Sequence, residues 1–244
     1  MRKLSIDCDT LGHENAVVLL TQLPGLQSLQ VTRTRRVQSG FCLYSCLPDL
    51  CPRIVRLDLR YAFDVNYDDN DCFVNLMRCL KQGLQFLVVP STITLTERDL
   101  QSIVQYHGHS LRCLSIPNNV ECDLVDCLNH LTLLHTLELA SQCLRYWHRG
   151  QIVNPSIQHI ILDSCCMHSH DILDSLCEHC PSLDTLSLCR FEGDDIAPLI
   201  RLLSTRKAIQ TIRIDDSNFL AQLMAKINIK ALQYISLDIF KLDY

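Results

Sequence analysis

One arrangement of apolar positions, apolar-x-x-apolar-x-apolar, returns ten times from end to end of the chain. It begins truncated at Leu4 and Ile6. It recurs as Leu26/Leu29/Val31, Ile54/Leu57/Leu59, Leu84/Leu87/Val89, Leu111/Leu114/Ile116, Leu134/Leu137/Leu139, Ile157/Ile160/Leu162, Leu183/Leu186/Leu188, Ile209/Ile212/Ile214 and Leu232/Ile235/Leu237. Successive central residues lie 23 to 30 positions apart, with a mean near 26. The ending of each copy, as in Leu57-Asp58-Leu59 or Leu137-Glu138-Leu139, has period two and predicts a short strand with one buried face.

Between the strands the period becomes that of a helix. Ala16, Leu19, Leu20 and Leu23 share one stripe, as do Phe73, Leu76 and Leu80, then Leu100, Ile103 and Val104. Further stripes run through Ile172, Leu173, Leu176 and Cys177, through Ile196, Leu199 and Leu203, and through Leu220, Leu223 and Ile227. Asp71 is expected just before the third helix and Gly83 after it. Thr96 with Asp99 resembles a capping box closed by Gly108, and Ser169 and Asp194 are candidate N-caps.

Each unit therefore reads as strand, loop, helix, loop, and it cannot bury both its strand and its helix stripe alone. Stacked neighbours can: strands pair in parallel, helices line the other side, and the aliphatic positions form a continuous core. Because a helix pair is bulkier than a strand pair, the stack is expected to curve. The predicted fold is an α/β solenoid with a parallel sheet on the concave side, helices on the convex side and about ten repeats, residues 1–244 forming one domain. The first strand begins at Leu4 and the last ends at Leu237, so both ends read as uncapped. That implies a longer chain, or ends packed on a partner or on themselves.

The pattern resembles leucine-rich repeats, particularly the cysteine-containing type of F-box proteins and other ribonuclease-inhibitor-like domains. The best match is Leu176-Cys177-Glu178-His179-Cys180-Pro181-Ser182-Leu183-Asp184-Thr185-Leu186-Ser187-Leu188-Cys189, a helix end in Cys-Pro-x-Leu followed by Leu-x-x-Leu-x-Leu. Leu50-Cys51-Pro52-Arg53-Ile54 and the segment from Leu162 to Cys165 are weaker echoes. The chain departs from the family pattern in its drifting repeat length and in the position after the strand, which is rarely Asn or Cys. The resemblance implies a protein-protein interaction module. In an F-box receptor it would be the substrate-recognition part, joined to cullin ubiquitin ligase components through an F-box, although no F-box-like segment is legible ahead of the first copy. The alternative is a scaffold or inhibitor of the same fold with no ubiquitin role.

Composition narrows the setting. Of 244 residues, 48% are hydrophobic and 20% charged, which excludes a disordered or fibrous chain. A net charge of -5 gives no global basic field, so a nucleic-acid partner is not expected. Asp7 and Asp9 interrupt any secretory apolar region, and the stretch from Ala16 to Thr32 is too polar to span a bilayer, so no membrane partner is expected either. Fifteen cysteines, an odd number without a secretory signal, suit buried thiols in a reducing compartment, cytoplasmic or nuclear.

Enzyme chemistry is weighed and set aside. His168 and His170 precede Cys177 and Cys180, with Cys165, Cys166 and His179 nearby, and these ligand types suit zinc. The repeat assigns Cys177 and Cys180 to a helix stripe and Cys165 to a small post-strand position, so packing is favoured and no metal or other cofactor is expected. Cys42, Cys46 and Cys51 receive the same reading. No Gly-x-Ser-x-Gly, phosphate-cradling glycine loop or His-Glu-x-x-His is present. A zinc- or thiol-dependent enzyme is the least favoured function.

What remains is a surface, because residues flanking the buried strand positions point onto the concave face. Arg33, Arg35 and Arg36 leave strand two beside Arg56 and Arg60 of strand three, so five guanidinium groups are expected near one rim, suited to carboxylate or phosphate. The competing reading is that Asp58, Asp64, Asp68, Asp69 and Asp71 neutralise them. Phe86, Val88, Pro90 and Pro117 are expected to form an exposed apolar patch at mid-arc, unless a loop folds over them. Trp147, the only Trp, lies in a loop with Tyr146, Arg145 and Arg149; it is either an interface anchor or a plug between helices. A protein partner is accordingly expected on the concave face or its rim.

Overall fold

The computed structural model describes residues 1–7, 13–33, 43–60, 69–91, 93–116, 120–140, 154–163, 180–190, 199–200, 209–215, 225 and 236–239. Among them ten strands form one open sheet: β1 (Lys3–Asp7), β2 (Ser28–Arg33), β3 (Arg56–Asp58), β4 (Phe86–Val88), β5 (Cys113–Ile116), β6 (Thr136–Ala140), β7 (His159–Asp163), β8 (Thr185–Cys189), β9 (Thr211–Ile214) and β10 (Ser236–Ile239). Their order in the sheet is their order in the chain, and every pair is parallel. The described helices are α1 (His13–Thr21), α2 (Leu43–Leu50), α3 (Asp69–Cys79), α4 (Glu97–His107) and α5 (Leu124–His130). An α/β chain with sequential parallel pairing has a solenoid-like arrangement, since each unit contacts chiefly its neighbours.

The register lays the predicted central residues in one row: Leu4, Leu29, Leu57, Leu87, Leu114, Leu137, Ile160, Leu186 and Ile212. From Leu29 onward the members of this row are almost wholly buried, and the residues two positions on, from Val31 to Ile214, join them in a single core with Leu26, Ile54, Leu84, Leu111 and Leu134. The tenth copy is corrected. Leu237, not Ile235, pairs with Ile212, so β10 sits two residues from the predicted register.

The backbone at each strand entrance repeats as well. The carbonyls of Arg2, Gln27, Val55, Gln85, Arg112, His135, Gln158 and Asp184 each accept two consecutive N–H groups from the following unit. This double bond locks neighbouring units in step before each ladder begins.

Side chains join the helix ends in the same way. The Cys51 thiol, fully buried, lies 3.9 and 3.7 Å from the carbonyls of Leu20 and Leu23 in the preceding unit. At the corresponding place in Asn154-Pro155-Ser156-Ile157, the Asn154 amide donates to the carbonyls of Leu128 and Leu131 at 2.8 and 2.9 Å. Cys180, first in the third such Pro-containing segment, is buried in the core too. Cys51 and Asn154 thus add a side-chain contact from the next unit to helix-end carbonyls that already accept a backbone N–H.

The Thr96–Asp99 capping box is present, and Gly108 closes α4 with its N–H on the Val104 carbonyl. Asp71 lies inside α3, which starts three residues earlier than expected. On α1, Ala16 and Leu20 are buried but Leu19 is 36% exposed, so the buried stripe is narrower than expected. Ser169 and Asp194 lie outside the described residues, as do the stripe from Ile172 to Cys177, Leu203 and the stripe from Leu220 to Ile227. No described helix is long and apolar enough to cross a membrane.

Candidate functional site

The face of the sheet away from the helices presents two rows. The first contains Lys3, Ser28, Arg56, Phe86, Cys113, Thr136, His159, Thr185 and Thr211 in register; the second contains Ser5, Gln30, Asp58, Val88, Ser115, Glu138, Ile161, Ser187 and Arg213. Lys3, Ser5, Gln30 and Arg56 are exposed, whereas Val88, Ser115 and Ser187 are buried. The face is thus most open at β1–β3, and from β4 to β9 its described residues are half-buried or buried.

The cover at mid-sheet is an ion pair. Arg60, just after β3, sends its Nη2 to both oxygens of Glu138 on β6 at 3.1 and 3.2 Å, and the two side chains are only 17% and 13% exposed. Strands β4 and β5 lie between them in the sheet. The Arg60 backbone is held by Asp58, which accepts its N–H, and by Ser91, whose N–H and hydroxyl both donate to the Arg60 carbonyl.

Arg56 takes a different course. Its guanidinium carbon stands 4.4 Å from the centre of the Phe86 ring on the adjacent strand, a cation-π contact, while the side chain stays exposed. Among the described residues it has no carboxylate partner. Its N–H fork is therefore held in place on the ring and available to a ligand.

These contacts revise the sequence-based site. Arg56 stacks on Phe86 and Arg60 is paired with Glu138, contacts that neither reading of the arginine cluster anticipated. Asp71, expected to neutralise that cluster, pairs instead with Arg98 on α4 at 2.6 Å. Val88 and Pro90 are buried, not exposed, and the Arg60–Glu138 bridge joins residues on either side of β4; among the described members of the expected apolar patch only Phe86 is half-open. Arg33 closes β2 opposite Asp7. Arg35, Arg36, Pro117 and Trp147 lie outside the described residues, as do Asp64, Asp68, Cys42, Cys165, Cys166, Cys177, His168, His170 and His179. Among the described residues, no group of three or more His, Cys, Asp or Glu could hold a metal ion.

A second polar cluster follows β7 and β8. Arg190 has a left-handed backbone, φ 47°. That unfavourable turn points its N–H at both oxygens of Asp215, each 2.9 Å away, while its guanidinium returns to chelate buried Asp163 through Nε at 2.9 Å and through Nη2. Nearby, His159 Nε2 lies 2.7 Å from the hydroxyl of Ser187. Burial, and secondarily the Arg213 charge, lower the His159 pKa. The thiols are pushed the other way. Cys113 rises to about 12 through burial, then Glu138, with Arg56 and Arg60 opposing. Cys189 also rises to about 12 through burial and the carboxylates around it. The Arg190 cluster was not legible in the sequence, because a left-handed arginine carries no local signature. Glu138 carried one: an acid in the row facing an expected excess of arginines.

On the helix side, a groove of about 500 Å³ runs between α4 and α5, lined by Glu97, Leu100, Gln101, Val104, Gln105, Cys122, Asp123, Asp126, Cys127 and His130.

No protein-family model matches the chain. No curated protein matches it in sequence. Among solved structures, the chain is similar to one described as the crystal structure of a Rad7 and Elc1 complex in yeast, with 14% identity, 97% of this chain and 80% of that chain covered, and a TM-score of 0.40.

Proposed function

We propose that the chain is a protein-binding solenoid of the leucine-rich-repeat type, with about ten repeats, which holds an acidic segment of a partner protein on the β1–β4 end of its open face and performs no chemistry of its own. The ladder of buried Leu and Ile and the Cys-Pro-x-Leu segment at Cys180 support the repeat type. The observation that carries the binding role is Arg56, exposed, fixed on Phe86 and without a described carboxylate partner, in register with exposed Lys3 two strands away. A guanidinium already held in place loses little freedom when it binds a carboxylate.

Three of the described thiols argue against nucleophilic chemistry at their positions. Cys113, Cys127 and Cys189 are raised to about 12, chiefly by burial, so they stay protonated at neutral pH. Within the binding reading, the likeness of residues 176–189 to F-box repeats makes a ubiquitin-ligase substrate receptor in the cytoplasm or nucleus the first role to test, and a ligase-free scaffold the other. The test is quantitative mass spectrometry of proteins co-purifying with the tagged chain and with Arg56→Glu. A partner set depleted by Arg56→Glu supports the binding face. A cullin scaffold within the set supports the receptor role, and its absence beside a retained partner favours the scaffold. An identical set from both proteins overturns the open-face reading.

A further inference from the structure

The groove between α4 and α5 is independent of the open face and has a distinct chemistry. Its floor is apolar: Leu100 and Cys127 are nearly buried, and Val104 is half-buried beside them. Its rim is anionic, with exposed Glu97 on one helix and exposed Asp123 and Asp126 on the other, and the lining contains no Lys or Arg. Among the described residues these three carboxylates have no cationic partner. Glu97 accepts only the amide of Gln101, and Asp123 accepts the N–H of Val125 as the cap of α5.

The negative field reaches the groove wall. The Cys122 thiol is raised to about 11, first by burial and then by Glu97, Asp99, Asp123 and Glu121. An apolar floor between uncompensated carboxylates rejects acidic and purely polar occupants, the first by repulsion and the second by desolvation. It accepts an aliphatic side chain flanked by cations, and about 500 Å³ accommodates one or two such side chains.

We propose that this groove is a docking site for a basic amphipathic segment of another protein, which seats an apolar side chain on Leu100 and Val104 while its Lys or Arg neighbours pair with Glu97 and Asp126. The mode is a segment laid into a groove between two helices.

The probe is a short fluorescein-labelled peptide with leucines at helical spacing and lysines between them, titrated against the full chain by anisotropy. Three comparison peptides are used: its glutamate counterpart, a scrambled peptide of equal charge and a lysine-free one. The designed peptide is expected to bind, and salt to weaken it. Binding should fall about tenfold or more in Glu97→Lys/Asp126→Lys and less in Glu97→Gln/Asp126→Asn. Arg56→Glu, on the opposite face, should leave it unchanged. Both substituted rim positions, Glu97 and Asp126, are solvent-exposed, so the fold should persist, and methyl resonances of Leu100 and Val104 should shift on titration. Absence of binding, equal binding by the charge-reversed variant, equal binding of the scrambled peptide or silent methyl resonances would each overturn the proposal. So would a wild-type dimer that the charge reversal dissociates, since it would give the groove to a second copy of this chain.

Discussion

Arg60 and Glu138, 78 residues apart in sequence, meet across two intervening strands, with the Nη2 of one within 3.2 Å of both carboxylate oxygens of the other. Three strand spacings, about 14 Å, separate the backbones of their strands along a flat sheet. The pair therefore belongs to the assembled array and to no single repeat. It spans the middle of the open face, between the exposed Lys3, Ser5, Gln30 and Arg56 on one side and the half-buried His159 and Thr185 on the other.

Breaking this pair from one side should be costly. In Glu138→Gln the Arg60 guanidinium, mostly out of water, loses the carboxylate it contacts through both oxygens. The expected loss is about 3 kcal/mol in urea unfolding. Replacing both residues by leucine or methionine should restore most of that stability, since a buried pair is often no better than apolar packing. A double variant as unstable as the single one would show that the bridge is not what Glu138 contributes. Reversal of Arg35, Arg56 and Arg60 together, which reads from sequence as a harmless surface change, should for the same reason lower the unfolding midpoint. Arg56→Glu alone should not.

The contrast shows what was legible. The nine-residue central row could be read directly, because a half-buried strand writes its alternation into the chain and each copy repeats it. α2 escaped because Pro48 reads as a helix breaker, and α5 because 7 residues give too short a window for a 3.6-residue period. The candidate surface was less legible. Sequence could place Val88, Pro90 and Arg60 on the open face, but which of them stays wet depends on a partner three strands away.

Asn154 provides a second test of how the units are joined. Its amide satisfies the carbonyls of Leu128 and Leu131, and its Oδ1 accepts the N–H of Ser156. Asn154→Ala removes one of two bonds from each of these carbonyls, which keep the N–H groups of Leu131 and Leu134, and takes the side-chain acceptor from the Ser156 N–H; it is expected to cost about 1–2 kcal/mol. Asn154→Cys should recover part of this, because Cys51 bonds the equivalent carbonyls with a thiol. Equal unfolding midpoints for the Ala and Cys variants would refute the equivalence.

Acidity should act through His107. It is fully buried at the end of α4, and its Nδ1 accepts the N–H of Leu84 at 3.1 Å. Burial lowers its pKa from 6.5 to about 4, against a smaller opposing pull from the Met77 carbonyl. Between these values the unfolded chain binds a proton that the folded chain refuses. Stability from this group is thus complete above about pH 6.5 and lost as pH falls toward 4, by about 3 kcal/mol at most. His159, also lowered, adds in the same direction. Urea midpoints measured between neutral pH and about pH 4 should fall in the wild type and fall less in His107→Gln. Parallel slopes would remove His107 from the account.

Gly83 gives the sharpest local prediction. Its φ of +71° suits a residue without a side chain, and a Cβ there would stand 2.7 Å from the hydroxyl oxygen of Ser110. That hydroxyl is committed, donating toward the carbonyls of Leu84 at 2.8 Å and His107 at 3.1 Å, so it cannot withdraw without leaving an acceptor unmet. Gly83→Ala combines a left-handed alanine, about 1 kcal/mol, with this close approach, and should cost about 2 kcal/mol or more in chemical denaturation. Adding Ser110→Ala removes the collision but not the backbone strain. A Gly83→Ala penalty measured in the Ser110→Ala background should therefore be smaller than in the wild type by about 1 kcal/mol. If the two penalties are equal, backbone conformation alone explains the glycine and the close approach to Ser110 plays no part.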